Sequence, residues 1–259
     1  MTILSVANAK GGVGKTTTAM NLAAALAEKG KKVCLVSLDT QNNLNDYVGH
    51  VPDGKPGVYE LINDYVADQP LRIYESIRFI EKENMWYIPS SPMLAVVSTV
   101  LASSNANHDL IMYELFRQDE FKQFDYVILD CKPSLDLSVM NALAASDGII
   151  IPVQASKMAY DGLNDILQKV AYLQKTSRPD LVVLGILTTM YSKNENMSKS
   201  VFDALKHVYG DMTFSTYISK GVDAQYSAAL KSSLINYRKN NLADQYREVA
   251  EEIIRRVEA

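Results

Sequence analysis

Short runs of β-branched and other apolar residues recur along this chain, separated by longer stretches in which apolar positions return every three or four residues. The first pattern predicts buried strands and the second amphipathic helices. Strands are predicted over Ile3–Ala7, Val33–Leu38, Trp86–Ile88, Tyr126–Leu129, Ile149–Val153, Val182–Leu187 and Thr213–Ile218. Helices are predicted to begin near Gly14, Gly57, Pro92, Ser138, Tyr160, Ser198 and Asn241. Strands apolar on both faces, alternating with helices, imply an α/β fold: a single domain over residues 1–259 whose mostly parallel, twisted sheet carries helices on both faces. Pro52-Asp-Gly-Lys-Pro56 and Ser192-Lys-Asn-Glu-Asn196 read as surface loops.

Composition narrows the picture modestly. With 259 residues, 47% of them apolar, the chain has material for one large core. A net charge of −4 excludes an overall polycation, so any contact with nucleic acid has to come from a local patch. Cys34 and Cys131 sit in separate apolar runs without paired spacing, as reduced core thiols do. His50, His108 and His207 are scattered without zinc-ligand spacing. Nothing approaches the roughly 18 to 20 apolar residues that cross a bilayer, and Met1-Thr2 leads directly into the first strand without a signal peptide. The expectation is a cytoplasmic protein with no membrane partner.

The chemistry concentrates in Asn8-Ala-Lys-Gly-Gly-Val-Gly-Lys-Thr-Thr17, between the first strand and the first helix. Glycines in that context let consecutive backbone N–H groups ring a phosphate, and the helix points its positive end at the same anion. Gly11, Gly12, Val13, Gly14, Lys15, Thr16 and Thr17 are therefore candidate nucleotide-binding residues, Lys15 as a point charge and the Thr16 hydroxyl as a magnesium ligand. Ala9 occupies the slot of the usual first glycine, and a second lysine, Lys10, precedes Gly11.

Two carboxylates fall where a phosphate site needs them. Asp39 follows the second strand, at the carboxyl end of the sheet where open α/β folds bind ligands. Asp130 ends the apolar run Tyr126-Val-Ile-Leu129, the position that holds magnesium through water in phosphate-loop proteins.

These residues together resemble the ParA (Soj) partition ATPases, within the ParA/MinD deviant Walker A class of P-loop NTPases, over nearly the whole chain. Asp130-Cys-Lys-Pro-Ser-Leu135 with Asn141-Ala-Leu143 is similar to the second switch of that family. Ala145 to Gln154 followed by Ala159-Tyr-Asp-Gly-Leu163 is similar to its next strand and helix, and Leu187-Thr-Thr-Met-Tyr191 to the strand whose end approaches adenine. The resemblance implies ATP and Mg2+ as cofactors and weak, partner-stimulated hydrolysis. It makes Lys15 the phosphate lysine, Lys10 a lysine acting on the nucleotide of the other subunit, and Asp39 the group orienting the attacking water. Thr16, Asp39 and Asp130 then surround magnesium, and Met190 and Tyr191 lie by the base. It also implies a homodimer formed on ATP binding, non-specific DNA binding and a ParB-like centromere-binding partner.

The sequence departs from the family at informative places. The usual Asp-x-Asp-Pro-Gln is Ser37-Leu-Asp39-Thr40-Gln41 here, and Lys132 stands in what is commonly a Pro-Pro pair. The family's DNA-binding segments match Met190–Asn196 and Ile218–Asp223, which supply Lys193 and Lys220; Lys199, Lys231 and Arg238 are further candidates. An alternative is a MinD-like or cargo-positioning nucleotide clamp acting on a protein or membrane scaffold with little turnover. The last helix does not favour membranes, because its stripe Leu242, Tyr246, Val249, Ala250, Ile253 and Val257 is flanked by four glutamates as well as three arginines.

Overall fold

A computed structural model describes residues 1–104, 107–156 and 159–258. Its strands are β1 (Thr2–Val6), β2 (Val33–Leu38), β3 (Arg78–Ile80), β4 (Met85–Ile88), β5 (Tyr126–Cys131), β6 (Gly148–Gln154) and β7 (Val182–Thr189). The first half of the chain supplies helices α1 (Lys15–Glu28), α2 (Asn43–Val48), α3 (Val58–Val66), α4 (Ile73–Ser76), α5 (Val97–Ser103) and α6 (Ile111–Leu115). The second half adds α7 (Leu137–Ala145), α8 (Ala159–Thr176), α9 (Asn196–Tyr209), α10 (Asp223–Ala229), α11 (Leu234–Tyr237) and α12 (Asn241–Glu258).

The seven strands form one sheet in the order β3-β4-β2-β5-β1-β6-β7. All neighbours are parallel except the β3–β4 pair at one edge. Because β1, β2 and β5 are buried along nearly their whole length, the sheet separates two apolar layers. One packs α3 and α5 to α8 on Ile3, Val36, Val127 and Ile149. The other packs α1, α2, α11 and α12 on Leu4, Leu35, Ile128 and Ile150. In α12 the stripe Leu242, Tyr246, Val249, Ala250 and Ile253 is buried against this second layer, each larger side chain contributing about 1.5–3 kcal/mol over exposure.

The edges differ from the reading of the sequence. Thr213–Ile218 is no strand: among the described residues this stretch and its continuation make only two isolated bridges, Ile186 with Thr213 and Tyr191 with Ser219. Phe214 and Ile218 donate to Ile186 O and Thr188 O of β7. Between them, however, Ser215 gives its N–H and hydroxyl to Glu252, and Thr216 gives its hydroxyl to Glu248. The middle of the stretch is thus tied to side chains of α12. Conversely, Arg78–Ile80 is an antiparallel edge strand too short to stand out by periodicity. Its Arg78 guanidinium binds Asp53 and the Pro56 and Ser76 carbonyls.

Candidate nucleotide-binding site

β1 carries the chain to the carboxyl edge of the sheet, and residues 8–14 turn there before α1. Gly12 and Gly14 have φ of 74° and 87°, a left-handed backbone that side chains with a Cβ strain to adopt. Gly14 is the N-cap of α1, so the first turn of that helix leaves its N–H groups and positive end toward the loop. Three contacts brace the turn from outside. Buried Asn8 donates to Pro152 O at 2.8 Å and accepts the Lys10 N–H at 2.9 Å. Thr189 donates to Val13 O at 2.8 Å. A Cβ at Gly162 of α8 would lie 2.3 Å from Asn8 Oδ1, so that helix sits as close as a glycine permits.

Lys15 is 7% exposed and donates from Nζ to Lys10 O at 2.9 Å. Burial lowers its pKa, and Asp130, Cys131 and Asp39 oppose the shift. An anionic phosphate would favour the charged lysine in the same way. Lys10 itself is half-buried beside Gly162.

β5 sets Asp130 between Val6 of β1 and Ser37 of β2. The residue is fully buried, and neither carboxylate oxygen is fully satisfied: the Thr16 hydroxyl lies close enough to act on it, but no partner meets normal hydrogen-bond geometry. Burial pushes its pKa up to about 7, the Thr16 hydroxyl and Lys15 opposing and Asp39 adding to the shift. An orphaned buried carboxylate is expensive, and a cation at the site resolves that cost. Among the described residues no three His, Cys, Asp or Glu side chains gather into a metal cage. The Thr16 hydroxyl with Asp130 and Asp39 instead fits magnesium, which keeps several waters and takes phosphate oxygens as ligands.

Asp39 is 6% exposed and accepts the Gln41 N–H at 2.9 Å. It lines a cavity of about 530 Å3 together with Gly11, Gly12, Gly14, Lys15, Thr16, Thr17 and Met190. A more apolar cavity of about 370 Å3 shares Gly14, Thr17, Met190 and Ala228 with it and runs between Ile218, Lys220, Ala224, Leu242 and Tyr246. One compartment suits a chain of phosphates and the other a flat base.

Several assignments made from sequence are separated by the geometry. Val13 is buried and takes part through its carbonyl, not as a lining residue. Met190, with φ of 51°, lines both cavities. Tyr191 lines neither: its ring stacks on Tyr217 at 4.0 Å between centroids, and its backbone pairs with Ile218 and Lys220. Lys132 forms an ion pair with Asp136 at 2.7 Å, and Asp136 caps α7. The cavity walls also include Gln41, Asp46, Tyr47, Pro133 and Ala228, which the sequence reading did not assign to the nucleotide. Pro133 follows β5 in the second-switch segment, and the others stand on or beside α2 and α10, helices too short to show a period.

The candidate DNA-binding residues fall into two groups. Lys193, Lys199 and Lys220 are exposed, and Lys220 is held to the end of β7 by its N–H bond to Tyr191 O at 2.8 Å. Lys231 lies over Gly49 beyond α2, and Arg238 is ion-paired with Asp223. Arg238 therefore brings its charge already partnered.

Comparison with known proteins agrees with this architecture. The sequence model of a family described as an AAA domain matches residues 1–183. The sporulation initiation inhibitor protein Soj of Bacillus subtilis is 34% identical over 254 residues, covering 97% of each chain. The chromosome partitioning protein ParA of Myxococcus xanthus is 30% identical, covering 98% of this chain and 88% of its own. A Mycobacterium smegmatis structure described as cobyrinic acid a,c-diamide synthase with bound ATP analogue and magnesium superposes with a TM-score of 0.84. It is 30% identical, covering 100% of this chain and 96% of that one. With its phosphate loop, paired strand-end carboxylates and seven-stranded sheet, the chain belongs to the ParA/Soj family of partition ATPases.

Proposed function

We propose that this ATPase binds ATP with magnesium at the phosphate loop, dimerises around it, and as a dimer binds DNA without sequence preference. In this reading it segregates DNA together with a ParB-like centromere-binding partner. The observation that carries the reading is the fully buried, unsatisfied Asp130 carboxylate beside Thr16, which itself lines the phosphate cavity. Magnesium, when bound, neutralises phosphate charge and fixes phosphate geometry. Thr16 and Asp130 would hold it, with Asp39 close by. Lys15 and the loop N–H groups bind the phosphates, and Lys10 reaches the nucleotide of the other subunit. Asp39 orients water for in-line attack on the γ-phosphate, in a site where preorganised donors stabilise the developing charge. The apolar face of α12 is packed in the core, so it does not offer the lipid-binding face that the MinD-like alternative needs.

DNA binding is tested by fluorescence anisotropy of a random-sequence duplex with a non-hydrolysable ATP analogue or ADP. Tight binding with the ATP analogue alone is expected. Its affinity should fall with salt by about 0.9 log unit per phosphate contacted, per log unit of salt. Lys220→Ala should lower that slope by roughly one to two across two subunits. Binding independent of nucleotide and of salt would remove DNA from the proposal.

A further inference from the structure

Beneath the two cavities lies a buried polar chain that joins their walls. Asn21 of α1 is fully buried and donates from Nδ2 to Thr17 O at 2.8 Å and to the Tyr47 hydroxyl at 3.2 Å. Its Oδ1 accepts the Leu234 N–H of α11 at 2.6 Å, which fixes the orientation of the amide. Tyr47 of α2, 4% exposed, meets the hydroxyl of fully buried Ser227 of α10 at 2.9 Å. Ser227 in turn donates to Ala224 O at 3.2 Å. Each hydrogen is then used once: Asn21 to Tyr47, Tyr47 to Ser227, Ser227 to the α10 backbone. Networks of this kind have few alternative arrangements and hold their members in register.

The position of this chain gives it a use. Tyr47 lines the phosphate cavity, and Ala224 and Ala228, on either side of Ser227, line the base cavity. α2 begins four residues after Asp39, and the Asp39 carboxylate accepts the Gln41 N–H within the same turn. The placement of Asp39 is therefore set by what holds α2. The N-terminal half of that helix is fastened by Asn45, which donates to Ser90 O at 3.0 Å and accepts the Tyr87 hydroxyl. Its C-terminal half is fastened by Tyr47.

We propose that the Tyr47 hydroxyl, through Ser227, is a positioning group for ATP hydrolysis that fixes the helix following Asp39 against the helix that walls the base cavity. The proposal rests on Asp39 as the water-orienting group. Small misplacements of such a group cost far more in rate than in ground-state binding.

The test measures kcat and the affinity for a fluorescent ATP analogue in Tyr47→Phe, Ser227→Ala and the double variant, with Asp39→Ala alongside. Tyr47→Phe should lower kcat by about five- to tenfold while affinity stays within about twofold. Ser227→Ala should do the same, and the double variant should be no slower than Tyr47→Phe, because all three variants break the Tyr47–Ser227 link. Unchanged kcat in both single variants would overturn the proposal. So would rate losses that multiply in the double variant, or a loss of affinity with kcat intact, which marks Tyr47 as a mere cavity wall. If Asp39→Ala keeps full turnover, the water-orienting assignment fails first, and this is read separately.

Discussion

Asp39→Ala is expected to bind ATP and retain the dimer while steady-state turnover falls by roughly 10²-fold or more, the usual scale for losing a positioned catalytic group. Asp39 stands in the phosphate cavity opposite Lys15, almost wholly buried, and it is anchored by the Gln41 N–H rather than by a counter-ion. Its removal takes a hydrogen-bond acceptor from the attacking water but leaves the loop donors and Lys15 in place. Phosphate release under saturating ATP and magnesium measures the effect, with equilibrium binding as the control. Turnover equal to wild type would move the role to another acceptor on the same wall, of which Gln41 is the nearest in sequence and Asp46 the nearest carboxylate.

Lys15→Ala should act on binding itself. The lysine is buried, which lowers its pKa against the opposing pull of Asp130 and Asp39, and its amine is held by the Lys10 carbonyl in the loop. Losing a buried charged donor to phosphate costs about 2–5 kcal/mol, so the dissociation constant for ATP should rise by roughly 30-fold or more. Isothermal titration of wild type and variant checks this. An affinity within a few-fold of wild type would mean that the nucleotide is seated elsewhere.

What was legible in the sequence follows from how each feature is stabilised. The phosphate loop reads directly because glycine spacing, strand and helix all serve one backbone shape, and the positive φ of Gly12 and Gly14 bears it out. Asp39 and Asp130 read as strand ends because buried parallel strands are uninterrupted apolar runs. The elements held by side-chain hydrogen bonds did not read. α2, α10 and α11 have four to seven residues each and are fastened through Tyr47, Ser227 and Asn21, which carry no period. The base cavity depends on them, so most of its walls were missed; Tyr191, set by the base through the family resemblance, lines neither cavity. Thr213–Ile218 has the β-branched and aromatic composition of a strand, yet Glu248 and Glu252, more than thirty residues later, bind the Thr216 and Ser215 hydroxyls in its middle. Lys132 likewise showed no partner until the turn brought Asp136 to it.

The central claim is that nucleotide at this loop joins two subunits, each giving Lys10 to the other. Two triphosphates facing each other in a low-dielectric interface need cations from both sides. Multi-angle light scattering of wild type and Lys10→Ala, each with a non-hydrolysable ATP analogue and magnesium or with ADP, measures it most directly. The account predicts a dimer for wild type with the ATP analogue alone and a nucleotide-bound monomer for Lys10→Ala under every condition; the same mass for wild type with both nucleotides, or equal dimer in the variant, would contradict it.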